Sequence, residues 1–425
     1  MDGIINELVF EDDDYQFYIQ LFMLVLGFAA FFSPPRNPSV FQQRCCWDEC
    51  TDLHSKRRTL KRRLRMSHES FDRLLALTCE DLVVNELMAG PRGGAIVPEL
   101  CLFCTLRWLA GASYLDICDI AGISTSSFYR VVWKTVTDTC RCEALDIVFP
   151  QTNEQLERAM VGFASISDNC AIKNCVGVVD GYLLRIKVPK KKEVGNVKNY
   201  FSGHYQCYGV NTQNVADHHS RFIYFSVAAP GKTGDRDALQ ICSLHELLVK
   251  LPFGLCVIGD PAYEASEHMV TMCSHGDRMV PDYDNFNFYA SQCRIRIEMA
   301  FGVMQQKWGI LQRPIGCSQS NLKWLAQAIA RLHNCVVNER LKSKGEAEFA
   351  VADDSAVSLT EGTGTGIAYV ACVPHDANGD PIEIPDVYGS SLFRGYSEVR
   401  ERMVRRVKRL QLTRPSANRI VKTND

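Results

Sequence analysis

Three short segments fall within one stretch from Val176 to Gly302: Val178-Val179-Asp180-Gly181, Ile258-Gly259-Asp260-Pro261-Ala262-Tyr263, and Arg294-Ile295-Arg296-Ile297-Glu298-Met299-Ala300-Phe301-Gly302. Asp180 and Asp260 end apolar runs that read as buried strands, and a sheet presents residues at its strand ends to a rim. Pro261 keeps Asp260 extended, because the residue before a proline avoids the helical region. Glu298 lies in a segment of helical period. Ile297, Phe301, Met304 and Trp308 keep a core-facing spacing, while Arg294, Glu298, Gly302 and Gln305 fall on another face. Gly302, one turn after Glu298, leaves room for a metal ion and a phosphate. The expectation is that Asp180, Asp260 and Glu298 meet and hold two divalent ions such as Mg²⁺, roughly 4 Å apart. Such a pair activates an attacking oxygen and stabilises a leaving oxygen on phosphorus. Singly, each acid has a plainer reading: Asp180-Gly181 as a hairpin turn, Asp260-Pro261 as a helix cap, and Glu298 as the ion-pair partner of Arg294.

Outward from these acids, Val210 to Ala216 and Phe222 to Ala228 read as strands joined by a turn through Asp217-His218-His219-Ser220. Asp235 to Leu248 reads as one helix with Ile241, Leu244 and Leu248 inward, and Leu255 to Gly259 as the strand that delivers Asp260. This order predicts an α/β fold, a mixed sheet with helices on its faces. Arg185 to Lys192 is an extended segment ending in Lys190, Lys191 and Lys192, which line a DNA path or form a solvated loop. Gly231-Lys232-Thr233-Gly234 is not a P-loop, because Ser226 stands where a glycine is needed and Pro230 intrudes.

Upstream, Pro98 to Trp133 reads helix, helix, tight turn, helix, with Ser124 as an N-cap. Phe128, Val131, Val132 and Thr135 face inward. Ser126, Ser127, Tyr129, Arg130 and Lys134 then face outward, where a recognition helix meets a major groove; a plain three-helix packing module is the alternative. Lys56-Arg57-Arg58, Lys61-Arg62-Arg63 and Arg65 form a basic run that contacts phosphates, acts as an import signal or simply faces solvent. Cys101 and Cys104 form a lone Cys-x-x-Cys with no matching second pair, so packing thiols rather than zinc ligands are expected.

The formal net charge of −2 over 425 residues excludes a globally basic nucleic-acid binder, so any such affinity must be local. Nineteen irregularly spaced cysteines without a signal peptide point to reduced thiols in the cytosol or nucleus. The apolar run from Phe17 to Phe32 is short for a membrane span and reads instead as a core or partner-packing helix.

With these residues in view, the chain resembles the PIF/Harbinger-type DDE transposases and the nucleases derived from them. The resemblance rests on the three acidic segments in order. Tyr200-Phe201-Ser202-Gly203-His204, Val215-Ala216-Asp217, Gly231 to Asp235, and Leu332-His333-Asn334 add to it. It implies an RNase H-like fold preceded by an all-α, helix-turn-helix-like domain. It further implies Asp180, Asp260 and Glu298 as the metal-binding triad, Mg²⁺ or Mn²⁺, a DNA substrate that is cut and transferred, and a Myb-like DNA-binding partner protein. Two departures stand out: His204 where a basic residue is common, and Lys232-Thr233-Gly234 in place of a Ser/Thr-His pair.

The expected organisation is an N-terminal segment (1–55), a helical DNA-binding domain (56–150) and a nuclease domain (170–340). A flexible linker and a basic C-terminal helix (341–425) follow. The last carries Arg400, Arg402, Arg405, Arg406, Lys408 and Arg409, which bind phosphates, direct import or sit on a free solvated helix. A metal-dependent nuclease or transposase in the nucleus is the first reading, with homo-oligomerisation open. A domesticated, catalytically silent DNA- or partner-binding protein is the alternative, and a membrane anchor the least favoured.

Overall fold

The computed structural model describes residues 16, 18–24, 44–82, 94–273, 280–343 and 397–415. It divides into two units, Met1–Gln43 and Arg44–Asp425. In the first, residues 18–24 are helical, with Tyr18 and Phe22 exposed. The rest of the apolar run expected to reach Phe32 lies outside the described residues, as does the expected linker after Ser343. No helix among the described residues is long and apolar enough to cross a membrane.

The second unit begins with helices α1 (Trp47–Lys56), α2 (Leu60–Leu64), α3 (His68–Leu82), α4 (Pro98–Leu109), α5 (Tyr114–Ala121), α6 (Thr125–Arg141) and α7 (Asn153–Ile166). Their ends follow local chemistry. The Ser67 hydroxyl accepts from the Ser70 amide at the start of α3, and Pro98 opens α4. Gly122 closes α5 at φ +64°, where a Cβ is disfavoured, and Ser124 caps α6 by accepting from Ser127. Thr152 and Gln155 make a capping box on α7. Later come α8 (Lys191–Val194), α9 (Asp235–Ile241), α10 (Leu244–Val249), α11 (Pro281–Lys307), α12 (Gln319–Ser343) and α13 (Glu398–Arg409). The single helix expected from Asp235 to Leu248 is broken at Cys242, whose backbone is extended (ψ 158°). That break leaves Ile241 exposed while Leu244 and Leu248 stay inward.

The strands are β1 (Cys175–Arg185), β2 (Phe201–Ser202), β3 (Cys207–Ala216), β4 (Phe222–Pro230), β5 (Cys256–Gly259) and β6 (Met269–Thr271). They form a mixed sheet in which β4, β3 and β1 run antiparallel and β5 and β6 continue parallel to β1; β2 pairs with the start of β3. Alternation along β1 sends Val178 and Tyr182 to the face covered by α11, where Tyr182 lies against Phe301. Val179 faces the other way, into a cluster with Val215, Val257, Leu244 and Leu248.

One apolar core runs from the first helices into the sheet, including Leu64, Phe103, Val136, Val178, Ile297, Ile329 and Val404. Burying side chains of this size gives each a stabilisation of about 1.5–3 kcal/mol. Cys101 and Cys104 lie inside that core as free thiols, as packing residues do. The basic C-terminal helix is not free. Val399, Met403, Val404 and Val407 are buried where α13 meets α11, and Lys408 and Arg414 pair with Asp282 and Asp284 at 2.7 and 2.9 Å. The apolar spacing inside its arginine-rich sequence gives it a docking stripe.

Candidate active site

Asp180 does not end its strand. It lies mid-β1, opposite Asn214 of β3, so a hairpin turn at Asp180-Gly181 is also excluded. What ends near it is the other pairing: β1 and β5 part company after Val178↔Ile258. Asp180 therefore stands where β1 keeps its β3 neighbour and loses its β5 neighbour. Asp260 follows β5 directly, and its Oδ1 accepts from the Ala262 amide at 2.9 Å.

Burial first, and then the facing Asp260, push the Asp180 carboxyl up to about 7, against the Gly181 amide and Arg294, which pull it down. Burial also raises Asp260, with Asp235 adding to it. Two acids that repel across a partly dry gap are a donor set for a hard divalent cation, which takes carboxylate oxygens and relieves the repulsion. Asn214 strengthens the fit. It is fully buried, its amide nitrogen donates to Thr212, and its Oδ1 has no donor among the described residues. Asp180 and Asp260 thus offer oxygen atoms of the kind the expected metal takes, as a pair of carboxylates.

Glu298 stands differently. It is exposed on α11, and Arg294, one turn back, reaches its Oε1 at 2.5 Å. The same guanidinium lies 3.9 Å from Asp180 Oδ2. Glu298 is thus one guanidinium away from Asp180, and the ion pair that its spacing allowed is formed. Among the described residues no group of three or more His, Cys, Asp or Glu side chains is arranged to hold a metal ion. Arg294 lies between Asp180 and Glu298, within salt-bridge distance of both. Beside Gly302 a Cβ would meet nothing within 4 Å, so the surface next to Glu298 is open.

A further carboxylate was given no role by sequence reasoning. Asp235, first residue of α9, lies so close to Gly181 that a Cβ there would collide with its Oδ1. That oxygen accepts from Asn211 at 2.9 Å and Gln213 at 3.2 Å, and Gln213 accepts in turn from the Tyr263 hydroxyl at 2.8 Å. Burial, then Asp235, Asp180 and Asp260, raise the Tyr263 phenol. The same three acids act on Tyr205, an exposed ring in the turn between β2 and β3. The signal was present in Asn211-Thr212-Gln213-Asn214, four consecutive polar side chains in a buried strand. Buried polar groups are retained where they satisfy one another or a ligand.

The remaining candidates lie on other elements. Ser126, Tyr129, Arg130 and Lys134 are exposed on α6, with Ser127 half-buried; Tyr129 packs against Tyr114 and Lys134 pairs with Asp138 at 3.1 Å. Lys190, Lys191 and Lys192 are exposed at the start of α8. His333 and Asn334 are structural. His333 bonds the Ser220 carbonyl at 2.8 Å, and Asn334 both donates to and accepts from the Phe222 backbone at 2.8 Å. Asp217 is spent in the same turn: against burial, which alone would raise it, Arg221 holds its carboxyl below the ordinary range.

An acid pair beside the end of β1–β5 pairing, with a helix carrying a third acid across from it, invites comparison with known nucleases. Residues 179–334 match the model of the DDE superfamily endonucleases. The matched segment begins one residue before Asp180 and ends at Asn334, so it contains all three acids and the Asn334 clamp on β4. No curated protein and no solved structure gives a significant match to the chain.

Proposed function

We propose that this chain is a metal-dependent DNA endonuclease of the DDE type, with the strand-transfer capacity of a transposase and a likeness to the PIF/Harbinger group. The sheet order, three antiparallel strands followed by two parallel ones, supports an RNase H-like core. The carrying observation is the Asp180–Asp260 pair inside the DDE endonuclease segment, buried enough that Asp180 is pushed up to about 7. Asp180 and Asp260 would hold the ions, with Asn214 buried beside them as a neutral oxygen donor. Bound Mg²⁺ or Mn²⁺ supplies Lewis-acid stabilisation of charge on a phosphodiester. Gln213, Asn211 and Tyr263 hold Asp235 in place against β1. Glu298, if freed from Arg294, would be a further carboxylate for such an ion, and the guanidinium would then be available to donate to a phosphate oxygen. The helix–turn–helix arrangement of α5 and α6 would present Ser126, Tyr129, Arg130 and Lys134 to duplex DNA, with Lys190 to Lys192 along the path. Action in the nucleus beside a Myb-like partner belongs to the same proposal.

One observation favours the alternative of a silent DNA- or partner-binding protein: Arg294 engages both Asp180 and Glu298. Incubation of supercoiled plasmid with Mg²⁺ or Mn²⁺ separates the readings. Nicking by the wild type and none by Asp260→Ala is the expected result. Equal DNA binding by both proteins with no nicking by either would establish the silent reading.

A further inference from the structure

The overall charge is slightly negative, yet one region gathers cations from four separate parts of the chain. Arg65, just after α2, donates to the Ala110 carbonyl at the end of α4, the helix that carries Arg107. The backbone at Gly309, two residues after Lys307 ends α11, lies directly on Ala110 and Gly111; a Cβ on Gly309 would come within 2.5 Å of the Ala110 carbonyl. Arg313 donates to the Gly111 carbonyl at 3.0 Å. Glu339 of α12, beside Arg340, accepts from the Ser67 amide at 2.9 Å and pairs with Lys61 at 3.7 Å. These interactions place Lys61, Arg63, Arg65, Arg107, Lys307 and Arg340 together.

Two of the six, Arg107 and Lys307, sense the others electrically. Burial lowers Arg107, and Arg63 and Arg65 lower it further; burial lowers Lys307, and Arg340, Arg65 and Lys61 add to that. Asp116 acts in the opposite sense on Arg107, and Glu339 on Lys307. Arg63 and Lys307 have no carboxylate within salt-bridge distance among the described residues, although both are half-buried. Gathering like charges around so few acids costs folding energy, and a polyanion repays it. The region is also distinct from the acid pair. Nine residues separate Glu298 from Lys307, which is two and a half helical turns, so the two side chains leave opposite sides of α11.

We infer that Lys61, Arg63, Arg65, Arg107, Lys307 and Arg340 form a second docking surface, separate from the cleavage site, for the phosphate backbone of duplex DNA. The choice of duplex DNA over another polyanion rests on the endonuclease reading; the charge argument does not. A backbone docking surface positions a duplex without reading its sequence. It would hold DNA flanking the bond to be cut.

The test is fluorescence anisotropy of a labelled 30-base-pair duplex over a range of salt, with the full chain. The variant Lys61→Gln/Arg63→Gln/Lys307→Gln is expected to bind at least about tenfold more weakly, with a log–log salt slope smaller by about 0.9 for each phosphate that is no longer neutralised. Lys408→Gln, which removes an exposed lysine paired with Asp282 on α13, is expected to keep the wild-type slope. Should the triple variant melt early, Lys61→Gln/Arg340→Gln alters exposed positions only and is expected to reduce the slope in the same proportion. Wild-type affinity and slope in a folded variant would overturn the docking surface while leaving nicking, and so the endonuclease reading, untouched. Binding by the wild type to phosphatidylserine vesicles but not to duplex would overturn both.

Discussion

Arg294 donates to Glu298 at 2.5 Å, one turn along the same helix, and stands 3.9 Å from Asp180. One guanidinium therefore occupies the gap between two of the three acids that sequence motifs nominate. A divalent ion and Arg294 compete for the same oxygens. Arg294→Gln is expected to tighten Mn²⁺ binding on the order of tenfold, about 1.4 kcal/mol, and to lower the melting temperature in chelator at pH 8. Calorimetric titration with Mn²⁺ and a thermal melt check the two halves.

Asp180 gives a pH signature. Its carboxyl is raised from 3.8 to about 7 by burial and Asp260, so between those values the native state holds a proton that the unfolded state has released. Stability contributed by that proton is present below pH 4 and lost as pH rises through 7. Asp180→Asn is expected to stabilise the metal-free protein at pH 8, by at most about 4 kcal/mol at roughly 1.4 kcal/mol per pH unit. The gain should vanish near pH 4. Denaturant melts in chelator at the two pH values measure it.

Asn334 ties α12 to the first residue of β4 by donating to the Phe222 carbonyl and accepting from the Phe222 amide. Asn334→Ala leaves both backbone groups without that partner, and each unsatisfied group costs about 1–3 kcal/mol. A fall in unfolding free energy of about 2 kcal/mol or more is expected in a urea melt, with Mn²⁺ affinity unchanged.

The C-terminal helix supports α11 through Met403, Val404 and Val407 rather than through its charges. Met403→Ala is expected to cost about 2–5 kcal/mol, as large-to-small changes in a core do. Lys408→Ala, which breaks an exposed pair with Asp282, is expected to leave the melt nearly where it was.

Much of the sheet was legible because periodicity carries it. The runs ending at Ala216 and Gly259, and the Asp217–Ser220 turn, appear where alternation and turn residues put them. The apolar run before Asp180 suggests a strand end there; β1 continues because Gly181 to Arg185 go on pairing with β3, a long-range choice that local composition does not encode. The docking of α13 was hidden by its arginines, since four apolar positions among them look solvated until α11 supplies a surface. Asp235 and the Asn211–Gln213–Tyr263 relay were missed for a related reason. Their meeting depends on β3 lying beside the start of α9 and on Gly181 having no side chain, neither of which a period reveals. Glu298 is the instructive case: spacing alone supported both a metal ligand and a partner for Arg294, and only geometry shows the second formed.

The most direct measurement of the acid-pair account is Mn²⁺ uptake followed by electron paramagnetic resonance, with wild type, Asp180→Asn and Asp260→Asn compared at pH 8. Saturable uptake by the wild type, with a loss of at least about tenfold in each variant, is the expected result. No uptake by the folded wild type, or uptake that both variants retain in full, would contradict the claim that these two carboxylates are a divalent-ion site.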